Sequence, residues 1–508
     1  MSDLTPGDPN APALPEAEGP AVGRDEWVAR HGERRLARGG RLGEMEQRLR
    51  AVPWWAFLIL FLAVASLMPA VEASGYVRRV GFDTAIFMLL ALGLNVVVGW
   101  GGLLDLGYIA FFGIGAYAYA IFSSDKFGIH LPTIVAIPAI TILGALIGLL
   151  VGLPSRRLSG DYLAIVTLFF AEIFYTIATQ GYHVPFFTIK GSHDFTGGPN
   201  GIANVDPFRF FGHQLITNRA YFYVSLVCVI LVFAFVYLAN QSRTGRAWRA
   251  LRDDSLAAEM MSMPVARMKV LALSVGACIG ALAGMINAAS IQGAFPDDYG
   301  IPVLITIYAV VILGGAGSLT GAVVGAIVLN VLLEVLRTPD HARWIFYAII
   351  VVAIVAKVRP WKKLAAVLAG TALFGIVLHS IVAASWPRGT EGLIPTGSDN
   401  FGHGGWLGWG LRHWLVLPAD SYSAGKVTVF NYLFVLLIGL VLGLTLLHGW
   451  WRILLMIPTI WLAGLVWETV LAEQGTGPTR FLLLGAILVV LMAARPQGLF
   501  GTQRVEIV

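Results

Sequence analysis

The feature that most limits what this chain can become is a succession of apolar runs with few charges, most of them close to the length of a bilayer crossing. Candidate spans lie near 54–71, 80–98, 106–123, 131–153, 161–180, 219–239 and 269–290, with further runs near 302–314, 318–336, 343–358, 364–384, 430–448, 451–471 and 480–494. A helical crossing takes about 20 residues, and within lipid only helices and closed barrels satisfy their own backbone polar groups. Runs this long predict an all-α fold, a polytopic transmembrane helical bundle of about fourteen segments. Composition agrees, since 57% of the 508 residues are apolar and 13% charged, against about 25% charged in soluble domains.

The 302–314 run is short. Thirteen residues reach about 20 Å, and the run ends in Gly314-Gly315-Ala316-Gly317-Ser318. A half-helix followed by a break is expected there, with irregular backbone covered by protein or water.

Charge placement gives the orientation. Residues 1–50 pass from a Pro/Ala/Gly/Glu-rich stretch to an Arg-rich one, without the short apolar core of a signal peptide. A cytoplasmic tail, disordered in its first half, is the expectation. Alternation then puts Arg156/Arg157, the 240–268 loop, Arg359/Lys362/Lys363, Arg452 and Arg495/Arg504 inside, as the positive-inside rule asks. Arg78 and Arg79 are exceptions. Both termini are expected in the cytoplasm, and the net charge of +5 reads as membrane orientation rather than nucleic-acid binding. The loops 181–218 and 385–429 fall outside. The second is rich in Gly, Trp and His (Trp406, Trp409, Trp414), which suits interfacial anchoring.

Several chemistries find no support. Cys228 and Cys278 sit inside apolar runs with neither pairing nor metal-ligand spacing. No G-x-x-x-x-G-K-[ST] phosphate loop occurs, nor H-E-x-x-H, nor a G-x-S-x-G elbow with partners. No metal, no cofactor and no catalysis by the chain itself are expected. GIGAYA (113–118) has a glycine-rich look but lies inside an apolar run, where glycines serve close helix packing.

The polar residues inside or between spans are the functional candidates. Glu172 stands well inside the 161–180 run, at a depth where an ionisable group must face protein or water; it reads equally as a pathway residue or a helix-packing acid. Asp105, with Gly107 beside it, is a boundary or a pathway residue. Asn95 and Asn287 suit interhelical hydrogen bonds or ligand contact. Thr196, Gly197, Gly198 and Asn200 form a small-residue turn in the first external loop, either structural or a nest of backbone N–H groups for a carboxylate. The 244–264 segment predicts an amphipathic helix. Thr244 can cap it, and Pro264 disfavours helix at Met263. Arg246, Arg249, Arg252 and Asp253 share one face; Ala247, Trp248, Ala250, Leu251, Ala257, Ala258 and Met261 share the other, and Leu256 and Met260 break the pattern. Such a helix rests at the headgroups or docks on another protein.

Taken together, GLNVVVGWGGLLDLGYIAFFGIGAYAYA, RRLSGDYLAIVTLFFAEIFY, FTGGPNGI, TGRAWRALRDDSLAAEMMSMPVARMKVLAL, VVILGGAGSLTGAVVGA and the closing RPQGLFG resemble the M-type permeases of leucine/isoleucine/valine ABC importers, over about 76–340 and 480–501. The resemblance implies an inner-membrane subunit that works with a second permease, two ATP-binding cassette subunits and a periplasmic solute-binding protein. It makes 244–264 the coupling element, with Arg246, Arg249, Arg252, Asp253 and Glu259 toward the ATPase. The family's Gly-Ile pair after the acidic turn is replaced by Ser262-Met263-Pro264. Urea or short amides are the alternative cargo, and an ion-coupled secondary transporter the rival class. The implied organisation is a tail (1–50), a permease core (51–342), an inserted block of extra helices (343–479), and a final helix with the C-terminus (480–508). The block's first segment, Arg343 to Pro360, reads like the final one, Arg480 to Pro496, as a duplicated last helix would.

Overall fold

The computed structural model describes residues 75–500, except 156–157, 159, 182–194, 211–212, 358–360, 388–389, 391–393, 396–400, 403–404, 418–426, 448, 475 and 495–497. The tail and the 54–71 run lie outside the described residues, as do parts of the 181–218 and 385–429 loops.

The chain is helical almost throughout. The core elements are α1 (Gly75–Leu94), α2 (Tyr108–Phe122), α3 (Thr133–Ser155), α4 (Asp161–Gln180), α5 (Asn218–Gln241), α6 (Arg243–Asp253), α7 (Ser255–Met260), α8 (Val265–Ile291), α9 (Ile301–Gly314) and α10 (Leu319–Val335). They continue into α11 (Pro339–Lys357), α12 (Trp361–Ser385), α13 (Gly405–Arg412), α14 (Val427–Leu446), α15 (Trp450–Gln474) and α16 (Thr476–Ala494). Strands among the described residues are two-residue pairings in the loops. Eight of the described helices are long and apolar enough to cross a bilayer, or nine if the bent pair α10–α11 is one span.

α8 is the axis of the core. Its Gly/Ala-rich sequence, from Gly276 through Gly284, lets neighbouring backbones approach closely, the packing device available where lipid gives no hydrophobic drive between helices. A side chain at Gly115 of α2 would strike the backbone of Ala281, and one at Gly148 of α3 would meet Leu273 O at 2.9 Å. GIGAYA is therefore helix-packing sequence, as expected.

Two breaks shape this part of the core. The 302–314 run is a short helix, Ile301–Gly314, preceded across extended Gly300 by a 3₁₀ turn over Pro296–Tyr299; together, 296–314 reach 19 residues, long and apolar enough to cross. The chain reverses afterward, at Gly315 (φ 102°) and Gly317 (φ 92°), values that favour glycine. A further bend follows α10, where α10 and α11 meet at 113° at Pro339.

α12 and α14 pack on α15, and α15 in turn meets α11 and α16. The α11–α15 contact contains a buried ion pair: Arg343 Nε donates to Glu468 Oε1 at 2.9 Å and Oε2 at 3.1 Å, and Arg343 Nη1 donates to Asp340 at 2.8 Å. Beside it Phe346 stacks on Trp467, centroids 4.4 Å apart. After α16, the backbone N–H groups of Leu499 and Phe500 donate to Leu313 and Gly314 of α9 (2.9 and 3.0 Å), fastening the C-terminal motif to the core.

Candidate functional site

The candidate residues gather at the two ends of α8, whose 27 residues span roughly 40 Å.

At the first end lies the amphipathic segment, which is two helices rather than one. Ser242, not Thr244, caps α6: it is extended, and its Oγ accepts from Gly245 N at 3.4 Å. Asp254 interrupts the helix and caps α7, its Oδ1 accepting from Leu256 N (2.8 Å) and Ala257 N (3.0 Å). Such acidic caps answer the orphan N–H groups of a new helix and so favour a restart there. Trp248, Leu251 and Ala258 are buried, as the pattern predicts, and Arg246, Arg249, Asp253 and Glu259 are exposed. Met261 and Ala257 depart from it: both are exposed, because the restart rotates α7 relative to α6. Met261 joins Leu256 and Met260 in an outward apolar patch.

Arg252 departs further. Its guanidinium turns inward and donates to Gly99 O, in the π-helical turn Asn95–Trp100 that closes α1, and its backbone lies over Gly102. The same turn grips the α9–α10 reversal: Asn95 Oδ1 accepts from Gly317 N (2.7 Å), and Trp100 Nε1 donates to Gly317 O (3.0 Å). Trp100 stacks on Trp248 of α6 (centroids 6.4 Å, 22°), and Trp248 Nε1 donates to Met268 O. One buried contact thus joins α6, the end of α1, the start of α8 and the α9–α10 turn. The inward turn of Arg252 was not legible from helical periodicity, which places it on the charged face.

Asp105 and Gly107 hold the next turn. Asp105 is fully buried; Oδ1 accepts from Gly107 N at 2.9 Å, Oδ2 has no hydrogen-bond partner among the described residues, and its backbone O accepts from Tyr308 at 2.6 Å. Burial pushes this carboxyl up to about 6, against the pull of the Gly107 N–H. Gly107 lies against the backbone of Thr167 in α4, and Thr167 Oγ1 accepts from Leu106 N. Asn95, Asp105 and Gly107 are therefore engaged with backbone inside the fold.

Glu172 is not. It is exposed on α4, among outward Phe169, Ile173 and Ile177.

The second end assembles around the 3₁₀ turn Pro296–Tyr299. The Thr196–Asn200 turn lies against it: Thr196 is buried and accepts from Gly198 N (3.3 Å), and Gly201 (φ 63°) lets Phe295 approach. Ile202–Ala203 pairs with Gly293–Ala294 to fix the contact. Asp297 and Asp298 are exposed, and Tyr175 of α4 donates to Asp297 Oδ1 at 3.4 Å. Beneath them Phe112, Tyr117, Phe174 and Tyr299 pack edge to face, with centroids 5.2–6.4 Å apart. Half-buried Asn287 sits beside the Tyr299 hydroxyl. Sequence reasoning missed these acids and tyrosines, although adjacent Asp297-Asp298 at the head of an apolar run was a visible signal.

Residues 77–356 match the family described as branched-chain amino acid transport system / permease component. The match takes in 343–356, which the sequence reading had assigned to the inserted block. The chain is 33% identical over 304 residues to the high-affinity branched-chain amino acid transport system permease protein LivM of Escherichia coli K12, covering 55% of this chain and 68% of that protein. It is 25% identical over 279 residues to the probable branched-chain amino acid transport permease protein LivM of Methanocaldococcus jannaschii, covering 52% and 76%. To the ribose import permease protein RbsC of E. coli K12 it is 26% identical over 307 residues, covering 58% and 89%. No solved structure matches.

Proposed function

This chain belongs to the branched-chain amino acid transport system permease family and is a permease for branched-chain amino acids of an ABC system, and from that premise we propose how its two ends divide the work. The α6–α7 end faces the cytoplasm and receives an ATPase subunit. The Asp297 end faces outward, toward a periplasmic solute-binding protein. The complex consists of this chain, a second permease and two ATP-binding cassette subunits in the cell's inner membrane, with both termini of this chain in the cytoplasm.

The carrying observation is the construction of the α6–α7 segment. It presents Arg246, Arg249, Asp253 and Glu259 outward, beside the apolar Leu256, Met260 and Met261. An apolar patch rimmed by charge is the form of a protein-docking surface. Its inner side bears on the break in α1 and the α9–α10 turn through Arg252 and the Trp100–Trp248 stack. Docking residues and transmitting residues are thus separate, and Arg252 is a transmitting one.

Glu172 supports the placement of the second permease. An exposed carboxylate among apolar side chains in a span is stable where protein or water meets it, not lipid. The α4 face therefore lines the pathway at the boundary with the second permease. Asn287 lies at the pathway's outer end, whereas Asn95, Asp105 and Gly107 shape the helices that bound it.

The test compares two variants of the assembled complex in proteoliposomes. Reversing Arg246, Arg249 and Asp253 together should weaken ATPase-subunit association and lower uptake at least about tenfold, the scale of lost interfacial charge pairs. Arg252→Gln should leave association intact but uncouple hydrolysis from uptake. Normal uptake by the triple reversal variant, or loss of association in Arg252→Gln, would sink the assignment.

A further inference from the structure

Asp297 and Asp298 stand side by side at the head of α9, exposed, and no ion pair reaches either among the described residues. Two adjacent carboxylates at the margin of an apolar span repel one another and gain from a cation. Asp297 accepts from the Tyr175 hydroxyl at 3.4 Å. Glu172 lies one helical turn before Tyr175 on α4, and i,i+3 positions share a face. Acidic groups therefore follow one another from the Asp297 end toward the interior of α4.

A second observation, independent of the acids, lies beneath them. Tyr117 is about nineteen-twentieths buried, yet its hydroxyl has no hydrogen-bond partner among the described residues. That hydroxyl is within electrostatic reach of both carboxylates. Its ring packs edge to face against Phe174 and Tyr299, each with its centroid 6.0 Å away. A buried hydroxyl left unpaired costs about 1–3 kcal/mol, so its position calls for an acceptor or donor that arrives. Aromatic rings add attraction for cations. Among the described residues no group of three metal-ligating side chains forms, so an organic ammonium suits this end better than a coordinated metal ion.

We propose that Asp297 and Asp298, with the buried Tyr117 hydroxyl, form a receiving site for the ammonium group of the amino-acid substrate. The site deepens the permease reading and rests on it for the identity of the substrate. It would admit a free α-amino group and refuse the same molecule once that amine is acylated, since the amide carries no charge for the carboxylates to meet.

The experiment measures binding of leucine and of N-acetylleucine to the purified, assembled complex by saturation-transfer NMR, without binding protein. Leucine should bind and N-acetylleucine should not. D297N/D298N should weaken leucine binding at least about tenfold, as loss of a charge-assisted contact does. Y117F, which removes a hydroxyl the fold does not use, should weaken it about threefold or more; it also shows the effect in a variant with no structural reason to misfold. Absent leucine binding, equal binding of the two compounds, or an unchanged leucine affinity in D297N/D298N would overturn the site. So would a D297N/D298N complex that keeps its leucine affinity and loses only its affinity for the solute-binding protein, since the acids would then be a protein-docking pair. Absence of leucine uptake by the wild-type complex would instead overturn the permease reading, which these binding measurements do not presuppose.

Discussion

At the scale of residues, side chains of similar appearance in the sequence do unlike things. Arg249 and Arg252 lie three positions apart on one helical face, yet the first is solvent-exposed and the second reaches Gly99 O. Periodicity reports which face a side chain leaves from, not how far a long one bends back to a carbonyl. Glu172 and Asp105 are two acids within or beside spans, one exposed and one fully buried. Depth in the run was legible for both; burial was not, because it depends on which helices arrive from elsewhere. Glu172→Gln should lower leucine uptake several-fold with the melting midpoint unchanged, and unaltered transport kinetics would return it to a structural role. Asp105 makes a different expectation. Its folded value near 6 exceeds the ordinary 3.8, so its contribution to stability is full below 3.8 and is lost as pH rises through 6. The size is roughly 3 kcal/mol at most. The wild type should therefore lose stability relative to Asp105→Asn between about pH 4 and pH 6 in thermal melts, with little further change above. Parallel melts across that range would contradict the burial of this carboxylate.

Elements were read more faithfully than side chains. Apart from the amphipathic α6 and α7, and α13 in the 385–429 loop, helix positions follow the apolar runs, because a span's length is set by the bilayer and appears directly in the sequence. Boundaries failed where short-range chemistry competes with hydropathy, as when Asp254 divides the amphipathic segment and Pro296–Tyr299 lengthens the next span. The contacts among elements include one no hydropathy scan would show, the Arg343–Glu468 pair between α11 and α15, each side chain 1% exposed. Breaking such a pair strands a buried charge at a cost of about 3–5 kcal/mol, whereas replacing both members with apolar residues is often neutral. Arg343→Met alone should sharply lower the yield of folded protein, and Arg343→Met with Glu468→Met should restore it. Equal yields from the single and double variants would show that the pair does not tie these helices together.

For the whole molecule, the helices α12–α15 pack mainly on one another and reach the rest chiefly through α11 and α16. We place this block at the periphery of the permease, away from α6 and from the α4 face. The C-terminal motif returns to α9 beside the α9–α10 turn, so the chain's end closes on the core after the long excursion. The family resemblance was visible in the order of motifs; their convergence, with α6, the π-helical turn, the glycine reversal and the C-terminus at one end of the core, was visible only in three dimensions. The central claim is that this architecture moves branched-chain amino acids under the control of separate ATPase subunits. The most direct test is uptake of labelled leucine into proteoliposomes holding the complete complex, with ATP and solute-binding protein supplied or withheld. Uptake should require both and should be indifferent to imposed sodium or proton gradients. Gradient-driven uptake by this chain without any ATPase subunit would contradict the account.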